Sequence, residues 1–174
     1  QIDFAAAKDH VDEVIAGIAP HDSISRFEGL GVRVLTGAAR FAGPAAVIAE
    51  TETGPVKITA RYFVIATGSE PWIPPIAGLS DTPFYTNETI FSLRDAPEHL
   101  VIIGGGPTGI EMAQAHIRLG CRVSVIEPFA LLARDDPELS RTLITMLEAE
   151  GITFHRDAHI KTVTQAGSSI HVML

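Results

Sequence analysis

Hydrophobic positions change their period several times along the chain, and each change marks an element. Phe4, Ala7, Val11, Val14, Ile15 and Ile18 recur at helical spacing, which predicts an amphipathic helix over residues 3–19, ended by Ala19-Pro20. A short turn or helix is expected from His21 to Phe27, and a strand from Val32 to Leu35 after Leu30-Gly31. The pattern then becomes that of a β meander, with Ala45–Glu50 and Val56–Ala60 flanking the turn Thr51-Glu52-Thr53-Gly54-Pro55. Tyr62–Ala66 is apolar at every position, which predicts a central strand covered on both faces. Pro71, Pro74 and Pro75 follow within ten residues and read as a linker between two units.

The second half carries a different rhythm. Val101, Ile102 and Ile103 run into Gly104-Gly105-Gly106-Pro107-Thr108-Gly109, and a helical pattern of Ile110, Met112, Ala113, His116 and Ile117 follows. This is the pattern of a buried parallel strand, a tight turn and a helix N-terminus. Arg122–Ile126 reads as the next strand, ending in Glu127. A helix is expected from Pro137 to Glu150, a third parallel strand at Thr153–His155, and a hairpin of His159–Gln165 with Ser169–Leu174. Asn87–Leu93 is expected to be a short helix. The fold expectation is α/β: two incomplete Rossmann-like units, doubly wound and three-layered, with β-meander insertions. Their boundaries are set at residues 1–70 and 71–174.

The glycines give this pattern its chemistry. Gly104 permits the sharp turn out of the strand, Gly106 leaves room for a pyrophosphate beside the backbone, and Gly109 lets helix and strand approach. The first amides of the helix lack internal partners and carry the positive end of its dipole, so they suit phosphate oxygens. Glu127, at the end of the next strand, stands where a carboxylate accepts hydrogen bonds from the adenosine ribose and repels a 2′-phosphate. NAD is therefore favoured over NADP. The plain alternative is a glycine turn in an ordinary βαβ unit with a solvated acid at a strand end.

Composition narrows the field. A net charge of −8 argues against nucleic acid or an anionic membrane as partner, and no apolar run is long enough to span a bilayer. The single cysteine, Cys121, excludes an internal disulfide framework and fits a reducing cytoplasm. No signal-peptide pattern is present, and a chain opening on Gln1 rather than Met is expected to be a processed or excised piece.

Taken together, VLTGAARF, FVIATGSEPWIPPIAGL, LVIIGGGPTGIEMAQ and LLARDDPELS resemble the pyridine nucleotide–disulfide oxidoreductases, most of all the dihydrolipoamide dehydrogenase and mercuric reductase branches. The resemblance covers essentially the whole chain. It implies that Ala39 contacts the adenine of FAD, and that Thr67, Gly68 and Ser69 form a turn beside the flavin's ribityl-pyrophosphate. It implies an NAD turn of Gly104, Gly105, Gly106, Pro107, Thr108 and Gly109, with Glu111 near the nicotinamide carboxamide, Glu127 on the ribose and Ile160 near the adenine of NAD. Many members have a tyrosine lid where this chain has Pro107, so a gated pocket is not implied.

The resemblance also implies a parent that moves hydride from NADH through FAD to a disulfide or metal-ion substrate. The chain lacks the family's first FAD glycine motif and its Cys-x4-Cys pair, so it is expected to be an internal fragment that retains NAD binding, has lost FAD and is inactive alone. The alternative is a non-catalytic dinucleotide-binding module. No catalytic residue and no metal ligand is assigned: His155 and His159 read as hairpin histidines, Cys121 as a buried thiol, and Asp135-Asp136 as helix-start chemistry before Pro137. Uncovered apolar faces are expected to drive self-association or homodimer formation.

Overall fold

A computed structural model describes residues 2–174 and divides the chain into two units. One is Asp12–Glu70; the other joins Pro71–Leu174 to the start of the chain through Val11. Each is described by itself.

In the Asp12–Glu70 unit the meander is present with one strand more than the pattern predicted. Strands β1 (Ala38–Gly43), β2 (Ala46–Thr51) and β3 (Gly54–Thr59) form an antiparallel sheet in that order. Gly37 starts it in a conformation only glycine holds easily (φ 153°), and an added Cβ there would strike the Glu50 carbonyl. Two expected strands are absent. Residues 32–37 carry no regular structure, and neither does Tyr62–Ala66, where Tyr62, Val64 and Ile65 are 76%, 92% and 73% exposed. An all-apolar strand needs backbone partners on both edges and cover on both faces. Among the described residues this stretch has neither; Phe63 stands edge-on to Phe41 of β1, with centroids 5.4 Å apart, and Arg61 lies over the ring of Tyr62.

The other unit is built on a parallel sheet, β4 (His99–Ile103), β5 (Arg122–Glu127) and β6 (Thr153–Arg156), in that order. Helix α3 (Pro107–Arg118) links the first two strands and α4 (Pro137–Ala149) the last two. Side chains alternate across a strand, so β5 turns Val123 and Val125 to one face and Ser124 and Ile126 to the other. Val123 and Val125 are fully buried with Ile110 and Ala113 of α3 and Ile144 and Leu147 of α4, forming the core. Asp136 caps α4 by accepting from the amides of Glu138 and Leu139, and Pro137 sits at its first position, where no amide hydrogen is needed. A hairpin of β7 (Thr162–Ala166) and β8 (Ser169–Met173) follows, and β7 also bridges in parallel to Ala77. The expected helix at Asn87–Leu93 is reduced to one 3-10 turn, Ile90–Ser92.

Helix α1 (Phe4–Ile18) does not stay with residues 12–70 along its length. Phe4 joins the core beside His116, ring centroids 6.2 Å apart. Lys8, 4% exposed, reaches the Ile90 carbonyl (3.4 Å) with its ammonium over the rings of Phe4 and Phe91. Asp9 pairs with Arg94 at 3.0 Å.

Candidate functional site

The glycine turn, the start of α3, the end of β5 and the loop behind it all meet at the C-terminal edge of the parallel sheet. In open α/β sheets this is the edge where ligands bind. Gly104 leaves β4 at φ 109°, a conformation that other residues rarely adopt, and its amide donates to the Ile126 carbonyl (2.9 Å). A Cβ on Gly109 would strike the Gly104 carbonyl oxygen and press on Ile102, so this glycine sets the distance between helix and turn. Gly106 differs from both. It caps α3 in an ordinary extended conformation (φ −77°, ψ 178°), and a Cβ there would meet nothing within 4 Å. The space beside Gly106 is open, while Pro107 and Thr108 next to it are exposed. Proline at the first helical position contributes no donor, which leaves the amides of Gly106, Thr108 and Gly109, beside the Thr108 hydroxyl, as the turn's donors for a ligand.

Glu127 closes the other side. Its Oε2 accepts from the Gly105 amide (2.7 Å) and its Oε1 from the Phe129 amide (2.9 Å). Gly105 is buried beneath it, with Leu131 and the Glu127 methylenes where a Cβ would go. The Leu132 amide returns a bond to the Gly105 carbonyl (2.9 Å), and the Ala158 amide bonds the Glu127 carbonyl (3.2 Å). Leu132 holds this position at φ 50°, a left-handed conformation that costs a non-glycine residue about 1 kcal/mol or more. The exposed ring of Phe129 stands edge-on to His159, centroids 6.3 Å apart.

The structure therefore brings together Gly104, Gly105, Gly106, Pro107, Thr108, Gly109 and Glu127. Ile160 lies half-buried in the connection between β6 and β7, and Glu111 is exposed on α3, one turn beyond Pro107; among the described residues no side-chain hydrogen bond joins either to the turn. Ala39 is exposed on β1, and Thr67–Ser69 lies in an exposed stretch with no hydrogen bond to that strand. These four residues do not form a cradle by themselves. Sequence reasoning missed Phe129, Leu131 and Leu132; the nearest signal was the apolar run Phe129–Leu132 directly after the acid.

His116, Cys121 and His99 are further titratable groups of this unit. His116 is buried on α3, and the Met112 carbonyl 2.8 Å from Nδ1 makes that nitrogen the donor and leaves Nε2 without a partner. Burial holds its pKa below the ordinary imidazole value, outweighing the bond to Met112. Burial also pushes the Cys121 thiol up, as suits an inert core cysteine. His99 Nε2 meets Ser124 Oγ at 2.9 Å on the opposite face of the sheet, and burial followed by the Arg122 charge lowers its pKa. No group of three or more His, Cys, Asp or Glu is placed to hold a metal among the described residues.

The family described as pyridine nucleotide-disulphide oxidoreductase has a sequence model that matches residues 4–174. A mercuric reductase of Streptomyces lividans is 34% identical over 170 residues, covering 97% of this chain and 36% of that protein. RclA of Escherichia coli, a probable pyridine nucleotide-disulfide oxidoreductase, is 26% identical over 172 residues, covering 98% of this chain and 39% of that one. The solved structure of that organism's HOCl-induced flavoprotein disulfide reductase RclA matches with a TM-score of 0.81 at 25% identity, covering 98% of this chain and 39% of that chain. This chain thus spans less than two-fifths of the length of these relatives.

Proposed function

The chain belongs to the pyridine nucleotide-disulphide oxidoreductase family, and we propose that its contribution to that chemistry is to bind NAD(H) at the turn Gly104–Gly109 and the carboxylate of Glu127. The observation that carries this reading is the open space beside Gly106 at the start of α3, with the Glu127 carboxylate bonded to the neighbouring Gly105 amide. Phosphate oxygens suit the amides of Gly106, Thr108 and Gly109 at the positive end of the helix. Each carboxylate oxygen of Glu127 takes one amide and keeps a second acceptor direction, which suits paired ribose hydroxyls. A 2′-phosphate would bring like charges together at that place. Ile160 and Glu111 are assigned to the adenine and nicotinamide ends. When bound, NADH supplies a hydride, and the residues named here hold and orient it.

The parent activity we propose is oxidoreduction of the mercuric reductase or flavoprotein disulfide reductase kind, the kinds that the relatives' names describe. Ala39, Thr67, Gly68 and Ser69 are not assembled into an FAD cradle by the described residues, so no step through FAD is assigned to them. The second reading is a dinucleotide-binding module that turns nothing over. It is favoured by the single cysteine, since a Cys-x4-Cys pair is not among these 174 residues. Calorimetric titration with NADH and NADPH tests the site. NADH is expected to bind at least about tenfold tighter, roughly 1.4 kcal/mol; no binding of either nucleotide would sink the assignment. Adding a disulfide or a dye acceptor to the NADH-loaded chain tests whether the chain turns anything over by itself, and we expect no turnover.

A further inference from the structure

Glu127 makes two hydrogen bonds that a ribose acid does not need. Both carboxylate oxygens are engaged by backbone amides of separate segments, Gly105 in the glycine turn and Phe129 in the loop behind β5. A third bond, from the Leu132 amide to the Gly105 carbonyl, closes the ring, with Leu131 packed over Gly105 and Leu132 held at φ 50°. A strained residue persists only where its surroundings over-determine it.

From this geometry we infer that Glu127 is also the positioning residue of the phosphate turn: its carboxylate clips Gly105 to the Phe129–Leu132 loop and fixes the turn's amides before any nucleotide arrives. The inference rests on the nucleotide-site reading above and adds a role that acts on phosphate rather than on ribose. It also reverses a sign. A carboxylate beside an anion site repels the anion, so simple electrostatics has Glu127→Ala strengthen binding of a phosphate ligand that lacks ribose. The clip makes the same substitution weaken it, because the turn loses the bond that holds it in shape.

The clip needs an acceptor oxygen toward each of the two amides. Glu127→Gln keeps the shape but turns an amino group toward one of the two donors, so it breaks half of the clip. Two measurements on the full chain test this. In amide exchange followed by NMR, the Gly105 and Phe129 amides are both expected to exchange at least about tenfold faster in Glu127→Ala, and one of the two in Glu127→Gln, while the Val125 amide in the core stays as in wild type. In titrations with inorganic pyrophosphate followed by phosphorus NMR, affinity is expected to fall several-fold in Glu127→Ala and in Glu127→Gln. Should Glu127→Ala fail to fold, Glu127→Gln carries both measurements. Unchanged exchange at Gly105 and Phe129 overturns the clip. Pyrophosphate that does not bind wild type, or binds the variants equally or more tightly, overturns its effect on the turn. Titration of wild type with NADH keeps the two ideas apart: failure there removes the nucleotide site itself, whereas NADH binding with a failed clip test removes only the clip.

Discussion

Gly106 and Gly109 lie three residues apart in one turn, and the structure gives them opposite reasons for being glycine. At Gly106 the backbone is ordinary extended chain, and a methyl group would meet nothing within 4 Å. Alanine loses a little as a helix N-cap, up to about 1 kcal/mol, and regains about 0.4–1 kcal/mol by restricting the unfolded chain. Gly106→Ala should therefore melt within about 2 °C of wild type. Its methyl group stands in the space assigned to the pyrophosphate, so NADH affinity should fall at least about tenfold, roughly 1.4 kcal/mol. At Gly109 the methyl group would strike the Gly104 carbonyl, which is backbone and cannot swing aside. Overpacking of this kind costs about 1–3 kcal/mol against a gain of about 1 kcal/mol in helix propensity, so Gly109→Ala should melt several degrees lower. Thermal melting by circular dichroism and calorimetric titration with NADH read the two quantities separately. A Gly106→Ala variant that binds NADH like wild type would show that the open space is not where the phosphates lie. Equal melting of the two variants would refute the steric argument.

Two further expectations follow from burial and exposure. Burial lowers the pKa of His116 in the folded chain, so as pH falls the unfolded chain takes up this proton first; stability from the neutral ring is full above about 6.5 and is lost as pH drops toward the folded value. Melting of wild type should fall more steeply between pH 7.5 and 5.5 than that of His116→Leu, and equal slopes would exclude His116 as a source. The exposed stretch Tyr62–Ile65 should drive self-association, so wild type is expected to scatter light as a species larger than 18.6 kDa. Val64→Lys with Ile65→Lys should reduce that mass, and a wild type that stays monomeric at high concentration would contradict the idea.

Much of the parallel-sheet unit could be read from residue order because its signals are local. The turn from three apolar residues into Gly104–Gly109, the helix behind it and the acid at the end of β5 are set by short-range geometry, and the structure places them in one edge of one sheet. Non-local pairing was where the reading failed. Tyr62–Ala66 has the composition of a central strand, but composition does not provide neighbours, and here the stretch is exposed. Residues 32–37 fail in the same way, while β1 was hidden because Ala38–Gly43 has exposed side chains throughout and no clean alternation. Helical spacing found α1 but could not show that Phe4 and Lys8 bury themselves against Ile90, Phe91 and His116, distant in sequence. A lysine at 4% exposure contradicts any hydropathy pattern and is held by two aromatic rings and a carbonyl. The clip at Glu127 was equally hidden, since the spacing of an acid from a glycine turn does not tell which amides it will meet.

Packing is unequally shared between the two units, and this bears on what the proposed nucleotide site needs. Of the buried apolar residues, Ala49 alone falls in Asp12–Glu70; the rest, from Phe4 and Leu79 to Val163, belong to the other unit. A buried aliphatic side chain contributes about 1.5–3 kcal/mol, so the stability of the parallel-sheet unit rests on its own Val123, Val125, Ile144 and Leu147. The turn, the acid and the loop that carries Leu131 and Leu132 are anchored to that same core, through Ile110 on one side and Leu132 on the other. The proposed nucleotide site therefore draws its rigidity from residues within the unit that contains it. The meander unit has its backbone ladders but little buried apolar surface, so its order depends more on hydrogen bonds that compete with water. Partial unfolding should begin there and leave the amides of Gly106 and Thr108 and the carboxylate of Glu127 in place.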